Sequence, residues 1–375
     1  MNKITLYGLI LFFISLLSCI DEDPYPGYVN SLEIDRAWQF LNNISVYVDR
    51  VPTRTDAQNF STPESLVLSI NDTIRYPSPN DNYVAYFTYY TADWRMMSSP
   101  IDSSTASRSR GSENLYCERL SDSILYVLVP TFMSDVATEM KHCTMIDSKI
   151  SSVILDLRWN GGGYVSVCTT MVDIILPKNL GYLNTIYRDD NASSAKLDTV
   201  LWTTSNSAKS NWEGKRYVIL MNRWTASASE IVIAGVRDNL TNCETLGDTT
   251  FGKGIGQGHY YFSATSGGGM SITSLRFYRK NGAFYHNVGI VPDTVVPKDE
   301  WDITGLNQVV AAASILDKEF DPVANSVSLQ AISKSVRDAH FSGSRGINNS
   351  KINYSKYSDP KAIVEEIFSA EDFLK

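Results

Sequence analysis

The stretch Ser151-Ser152-Val153-Ile154-Leu155-Asp156-Leu157-Arg158-Trp159-Asn160-Gly161-Gly162-Gly163 decides the fold of this 375-residue chain. Its short apolar run, Val153 to Leu155, is cut off by glycines, which predicts a buried strand that ends in a turn. Because glycine has no side chain, backbone N–H groups in such a turn can approach a ligand closely. We therefore expect a binding or catalytic turn directly after a core strand.

Two further motifs combine an apolar strand with a turn of small residues. The run Tyr217 to Met221 precedes Thr225-Ala226-Ser227-Ala228-Ser229-Glu230, and the segment from Ser229 to Asp238 has the spacing of a helix. The third turn is Thr250-Phe251-Gly252-Lys253-Gly254. With a helix predicted from Tyr164 to Leu176, this strand–helix–strand order indicates an α/β fold, with a mixed, largely parallel sheet and flanking helices.

The domain organisation follows from the same patterns. We predict a small N-terminal helical region with a variable insertion over 29–120, a core over 121–300, and a C-terminal helix with a polar tail over 301–375. Apolar residues at helical spacing predict the first helix, with Asn30 and Glu33 as its capping box. They are Ile34, Trp38, Leu41, Ile44 and Val48.

The composition narrows the class of protein. A hydrophobic content of 43% and a charged content of 20% are those of a soluble globular protein. The net charge is −8 and no basic stripe stands out, so nucleic acid is not an expected partner. The histidines and cysteines lack the close pairs of a zinc site, so no metal is expected.

The N-terminus has the pattern of an export signal. A lysine precedes an apolar run from Ile4 to Leu17, which is short for a membrane span and typical of a signal-peptide core. The run ends in Leu16-Leu17-Ser18-Cys19, which resembles the bacterial lipoprotein signal. We expect a signal peptide over 1–18, lipidation of Cys19 and a tether over 19–28. The alternative is an ordinary secretory signal with an incidental cysteine.

This signal also predicts a location. Ile20 stands after the cysteine, where an aspartate would favour retention in the inner membrane. An outer-membrane lipoprotein is therefore expected, facing the periplasm or the surface and contacting the membrane through its lipid only.

Four more cysteines follow in the chain. Export would place them in an oxidising compartment, which permits disulfides. Their irregular spacing and the apolar setting of two of them favour buried thiols at least equally, so the disulfide status stays open. They are Cys117, Cys143, Cys168 and Cys243.

Four motifs in order resemble the carboxy-terminal processing (tail-specific) peptidase family, from about Ser121 to Val296. They are the glycine motif, the Ser-Ala-Ser-Glu motif, the Phe-Gly-Lys-Gly motif and Gly289-Ile290-Val291-Pro292-Asp293. The resemblance implies a crotonase-like or ClpP-like core. It also implies a serine endopeptidase that cleaves polypeptides through an acyl-enzyme and needs no cofactor.

The resemblance also implies roles for individual residues. By motif position, Ser227 is the nucleophile, Lys253 the general base and Gln257 the supporting amide. The implied oxyanion hole consists of backbone N–H groups, which fall on Ala228 and on either Gly161 or Gly162.

The chemistry is consistent with these roles. A serine hydroxyl is a poor nucleophile until a neighbour removes its proton, and a lysine can do so only if burial lowers its pKa. Ser227 immediately precedes an apolar helix, whose free N–H groups and dipole favour an oxyanion. In the alternative reading, Ser227 only caps that helix and Lys253 is a solvated turn residue. A serine–histidine mechanism is less favoured, because none of the four histidines occupies a motif position.

The chain departs from the family in one place. Members usually carry a PDZ domain before the core, and it captures the substrate's C-terminus as an added strand. Here only the segment from about Tyr90 to Asp122 is available, and much of it is serine-rich. Recognition of C-termini is therefore in doubt. The alternative function is a non-catalytic binding protein on the same fold, which holds a hydrophobic ligand or peptide at the cell surface. A structural role in surface polysaccharide uptake has only the lipoprotein signal behind it.

Overall fold

A computed structural model describes residues 26–75, 84–86, 88–91, 115–133, 136–188, 197–205, 210–261, 269–296 and 305–340. The predicted signal peptide, Cys19 and the serine-rich segment lie outside these residues. The helices are α1 (Pro26–Ile44), α2 (Arg54–Ala57), α3 (Pro63–Leu68), α4 (Val136–His142), α5 (Val165–Ile175), α6 (Ala228–Arg237), α7 (Leu306–Leu316) and α8 (Ser326–His340). The strands are β1 (Thr73–Arg75), β2 (Val84–Tyr86), β3 (Tyr89–Thr91), β4 (Tyr116–Arg119), β5 (Ile124–Leu128), β6 (Ser152–Asp156), β7 (Gly181–Arg188), β8 (Leu197–Thr203), β9 (Arg216–Met221), β10 (Cys243–Gly247), β11 (Ile255–Tyr261), β12 (Gly269–Arg279) and β13 (Thr294–Val295).

A six-stranded sheet forms the centre of the core, in the order β13-β10-β9-β6-β5-β4. All neighbours in it are parallel except the edge pair β4–β5. Every residue of β5 and β6 is buried, as expected for strands covered on both faces. Val153 and Leu155 pack with α4, α5 and α6, whereas Ile154 packs with α7 and α8 on the other face. The predicted mixed α/β fold with flanking helices is confirmed.

A second, antiparallel sheet lies beside the first. Its strand order is β11-β12-β7-β8, with β3 paired to β12. Tyr182 and Leu183 of β7 and Phe277 of β12 belong to the same apolar cluster as α6. The second sheet therefore packs against the helix that follows the Ser227 turn.

The N-terminal helices dock on this second sheet. Side chains of α1 and α3 form one apolar cluster with Met270 and Ile272 of β12. The predicted capping box is wrong, because α1 already begins at Pro26, inside the predicted tether. Glu33 instead accepts a hydrogen bond from the Tyr90 hydroxyl at 2.9 Å. Its carboxylate therefore fastens α1 to β3.

The C-terminal part of the described chain covers the other face of the central sheet. The predicted helix is confirmed as α7. We did not predict α8, whose Leu329, Ile332 and Val336 are buried at helical spacing. No helix within the described ranges is long and apolar enough to cross a bilayer. The domain boundaries proposed from the sequence stay predictions.

Candidate active site

Ser227 lies in the turn between β9 and α6, at the position directly before the helix. Its φ of 58° is unusual for a residue with a side chain and costs roughly 1–3 kcal/mol. Ala226 and Ala228 on either side are buried, whereas Ser227 itself is half-buried. The fold thus holds a reachable hydroxyl in a strained turn at a helix N-terminus.

Asn160 joins this turn to the glycine motif. Its carbonyl oxygen accepts hydrogen bonds from the Ala226 N–H at 3.0 Å and from the Ser229 hydroxyl at 2.9 Å. Its side-chain amide donates to the Val129 carbonyl at 2.9 Å, at the end of β5. Asn160 therefore has a larger role than the tight turn that the sequence alone indicates.

Gly162 packs directly against the Ser227 turn. Its φ is +108°, and a Cβ atom placed there would lie 2.7 Å from the Cβ of Ser227. Its N–H donates to the Asn160 side-chain oxygen at 2.9 Å, so this N–H already has an acceptor. Gly161 is exposed, and the N–H of Ala228 belongs to the first turn of a helix, which has no intrahelical acceptor. Because the Gly162 N–H already has an acceptor, Gly161 is the simpler candidate of the two glycines predicted for an oxyanion hole.

Lys253 lies in the turn between β10 and β11, and this turn contacts the Ser227 turn. The Phe251 N–H donates to the Thr225 carbonyl at 2.9 Å. The Gly289–Asp293 motif also contacts the Lys253 turn, since the Ile290 N–H donates to the Thr250 hydroxyl oxygen at 2.7 Å. Three motifs separated in sequence therefore meet in one place.

Glu230 connects the two turns. Its carboxyl group is fully buried, and the described residues donate four hydrogen bonds to it. One oxygen accepts from the N–H groups of Ser227 at 2.9 Å and Lys253 at 2.7 Å. The other accepts from the Gly252 N–H at 2.8 Å and the Thr250 hydroxyl at 2.6 Å. We did not predict this role of Glu230 in joining the two turns. Two sequence signals mark Glu230, namely the Ser-x-x-Glu spacing of a capping box and the presence of a carboxylate in an apolar helix.

Burial shifts the pKa values of both ionisable groups in this cluster. It raises the pKa of Glu230 to about 7, while the hydrogen bonds that the carboxylate accepts act in the opposite direction. Burial lowers the pKa of Lys253 to about 8, and the negative charges of Glu230 and Asp72 oppose this shift. A lysine with a pKa near 8 is partly neutral at physiological pH, as a general base requires.

Asp72 was not expected near the site, because it comes from the N-terminal region. It is buried and accepts hydrogen bonds from the hydroxyl groups of Thr88 and Thr273. Its charge acts on Lys253, so the N-terminal region also contributes to the electrostatics of the site.

Gln257 lies on β11 at a bulge beside Gly256. Its side-chain Nε2 is buried without an acceptor among the residues that the structure describes. Such an amide has the chemistry to donate a hydrogen bond to a neutral amine or to a substrate carbonyl. Its supporting role stays a prediction. Over the same residues, no group of three His, Cys, Asp or Glu side chains is arranged to hold a metal ion.

A buried ion pair lies beneath the glycine motif, and no sequence pattern indicates its placement. Arg158 and Asp156 are both fully buried, and their side chains form two hydrogen bonds, at 2.9 and 2.5 Å. The Tyr126 hydroxyl donates to Asp156 at 2.6 Å, and Arg158 donates to the Gly305 carbonyl and to Gln308, both at 2.8 Å. The pair thereby fixes the start of the glycine motif to β5 and α7.

Comparison with known families gives a direct match to this core. A model of peptidase family S41 matches residues 123–296. A "Probable CtpA-like serine protease" of Staphylococcus haemolyticus is 29% identical over 182 residues, which are 48% of this chain and 34% of that protein. A "Carboxyl-terminal-processing protease" of Synechocystis is 28% identical over 180 residues, which are 48% and 39% of the two chains. The matched part thus spans little more than a third of the length of these relatives.

Solved structures show the same fold. A lipoprotein from Streptococcus agalactiae superimposes with a TM-score of 0.54 at 16% identity, over 81% of this chain and 100% of that one. The photosystem II D1 C-terminal processing protease superimposes with a TM-score of 0.50 at 16% identity, over 71% and 93%. Residues 123–296, just under half of the chain, thus match peptidase family S41, which includes the carboxy-terminal processing peptidases that the four motifs resemble.

Proposed function

We propose that the chain is an exported serine endopeptidase in which Ser227 is the nucleophile and Lys253 the general base. The observation that carries this proposal is the buried carboxylate of Glu230. It accepts hydrogen bonds from the backbone N–H groups of both residues, at 2.9 and 2.7 Å. One fixed group thus holds the nucleophile turn and the base turn together.

The reaction uses an acyl-enzyme. As the Ser227 Oγ attacks the peptide carbonyl, the neutral Lys253 amine takes its proton. The N–H groups of Ala228 and Gly161 bind the oxyanion that forms. Protonated Lys253 then gives the proton to the leaving amine. In the second step the same lysine takes a proton from water, and the hydroxide that forms hydrolyses the ester. Gln257 donates a hydrogen bond in support of the base, and no cofactor takes part.

The helix that follows Ser227 strengthens this assignment. Nine of the ten residues of α6 are buried, so the helix is fixed by the core and its N-terminal N–H groups keep their direction. Preorganised N–H groups stabilise a developing oxyanion without reorganising during the reaction. A serine that served only as a cap would not need a second turn with a lysine of lowered pKa beside it.

A peptidase assay tests the proposal. Wild type is expected to cleave a permanently unfolded protein, whereas Ser227→Ala and Lys253→Arg are expected to lose cleavage, because arginine stays charged and cannot accept the proton. Ser205→Ala is a matched control, since Ser205 is exposed and bonds only to Asp173 among the described residues. If folded wild type cleaves no unfolded protein, the binding-protein alternative becomes the better account.

We also propose that Cys19 carries a lipid that anchors the chain, in the outer membrane. Support for this comes from the sequence Leu16-Leu17-Ser18-Cys19 alone. Cys19→Ala is expected to move the protein from the membrane fraction to the soluble fraction and to abolish labelling by a fatty-acid analogue. A wild-type protein that takes up no analogue would refute the anchor.

A further inference from the structure

Two cysteines lie side by side away from the Ser227 turn. Cys117 is on β4, and Cys143 directly follows α4. Their sulfur atoms are 3.2 Å apart although the residues are 26 positions apart in the chain. Both are half-buried and pack against the main apolar cluster, so the core fixes their positions while their side chains keep some access to solvent. A disulfide bond of about 2.05 Å requires the sulfur atoms to approach by roughly 1 Å.

The other described cysteines have different surroundings. Cys168 is fully buried in α5, and its thiol donates to the Val165 carbonyl at 3.1 Å. The Cys243 sulfur lies 4.0 Å from the carbonyl oxygen of Glu244. Burial raises the pKa of both thiols, which makes them poor nucleophiles.

We propose that Cys117 and Cys143 form a reversible disulfide, a modification site separate from the peptidase site. The bond would join the edge strand β4 to the end of α4. It would close a loop that contains β5 and Phe132. The Phe132 N–H donates to the Gly162 carbonyl at 2.9 Å, and its carbonyl accepts from the Tyr164 N–H at 2.8 Å. The closed loop therefore includes the segment that holds the glycine motif.

The environment of Cys143 makes it the attacking thiol. A hydrogen bond with Cys117 lowers its pKa to about 6, which outweighs the effect of burial, and the N–H groups of Met145 and Ile146 act in the same direction as Cys117. A thiolate is the species that attacks disulfides. The lowered pKa favours the thiolate form of Cys143. Cys117, whose sulfur lies 3.2 Å away, is placed to resolve the intermediate.

The oxidant is itself a disulfide, either oxidised glutathione or that of a thiol oxidoreductase. The Cys143 thiolate attacks one of its sulfur atoms, forms a mixed disulfide and releases the other sulfur as a thiolate. Cys117 gives its proton to solvent and attacks the Cys143 sulfur, which releases the second thiolate. Counted from two thiols, the cysteines lose two electrons and two protons to the oxidant and to solvent. The oxidant gains the two electrons and, with two protons from solvent, becomes two thiols.

Peptide mapping of the purified full chain tests the pair. The protein is equilibrated in glutathione buffers of increasing oxidised fraction, alkylated and digested without reduction. We expect peptides linked through Cys117 and Cys143 to predominate at the oxidising end, with a loss of two thiols per chain. Closing the loop is expected to raise Tm by about 5 °C. An oxidised sample without this link, or with a link to Cys168 or Cys243 instead, would overturn the proposal.

Single substitutions supply the controls. Cys117→Ser is expected to remove both the link and the rise in Tm of about 5 °C, and to leave Cys143 carrying one glutathione. Cys243→Ser is expected to change neither. A rise in Tm of the same size in oxidised Cys117→Ser would contradict the assignment. The mapping detects a covalent bond in wild type and does not require that the protein itself hydrolyses a peptide. Its outcome is therefore independent of the proposed peptidase activity.

Discussion

Replacing Glu230 by glutamine tests how the site is assembled. The substitution keeps the size of the side chain but turns one acceptor oxygen into an NH₂ group. If that group takes the place of the oxygen that faces Ser227 and Lys253, two backbone N–H donors lose their acceptor. We expect the two turns to separate slightly while the core around α6 stays intact.

The effect on stability can be worked out from the pKa. Burial raises the pKa of folded Glu230 from an ordinary 4.5 to about 7, so between these values the folded chain holds the proton more tightly than the unfolded chain does. The contribution of Glu230 is therefore fully present below pH 4.5 and falls as the pH rises to 7, by about 3 kcal/mol. Glutamine has no such dependence. At pH 8 the neutral glutamine therefore stabilises the fold by about 3 kcal/mol relative to the charged carboxylate. Each N–H that is left without an acceptor costs about 1–3 kcal/mol in the opposite direction. The variant should stay folded.

The effect on activity should be much larger than the effect on stability. Misplacing reacting groups by about 1 Å costs on the order of 100-fold in rate, so we expect kcat/KM of Glu230→Gln to fall by at least that factor. The charge of Glu230 raises the pKa of Lys253, so the remaining activity should titrate at a lower pH than in wild type. The assay is the hydrolysis rate against pH for both proteins, with urea unfolding measured at pH 4.5 and 8.

Two results would refute this reasoning. One is a difference in unfolding free energy between wild type and Glu230→Gln that stays constant from pH 4.5 to 8. The other is an unchanged kcat/KM. Glu244→Gln is the matched control, because Glu244 is exposed on β10 and its replacement should alter neither quantity.

Three further predictions concern other parts of the site. Wild-type kcat/KM should rise with pH through a single limb near the Lys253 pKa of about 8. Lys253→Arg should remove that limb together with turnover. A wild-type midpoint below pH 6.5 would contradict this prediction. Gly162→Ala should lower kcat/KM by at least ~100-fold, because the new Cβ would lie 2.7 Å from the Cβ of Ser227. Gly214→Ala is the control in the same assay. Gly214 also has a positive φ, of 80°, but a Cβ there would have no atom nearby, so this variant should keep its activity. Asp156→Ala should lower the free energy of urea unfolding by about 3–5 kcal/mol, because it leaves the buried charge of Arg158 without its partner. Adding Arg158→Met should recover most of that loss. Equal stability of the single and double variants would count against this prediction.

The core was predictable from sequence because its signals are local. An apolar strand followed by glycines or small residues identifies β6 and β9 with their turns, and apolar spacing identifies α6 within one residue at each end. The four motifs in order then bring Ser227 and Lys253 into one hypothesis. The structure adds the hydrogen bonds through which their two turns meet.

The contacts that complete the site were not predictable, because they join residues far apart in the chain. Asp72 accepts a hydrogen bond from Thr273, 201 positions away, and Arg158 reaches Gln308, 150 positions away. No spacing pattern indicates such pairs. Glu230 is different, since a capping-box spacing marks it, but only the fold shows that its carboxylate also reaches the Lys253 turn.

The most direct test of the central claim is covalent labelling with a fluorophosphonate probe, followed by peptide mapping. Our account predicts one modified residue, Ser227, in wild type at pH 8, and no labelling of Lys253→Arg over the same time, because the hydroxyl then lacks a base. Modification of a different serine, or equal labelling of Ser227 in wild type and Lys253→Arg, would contradict the claim that these two residues form the catalytic pair.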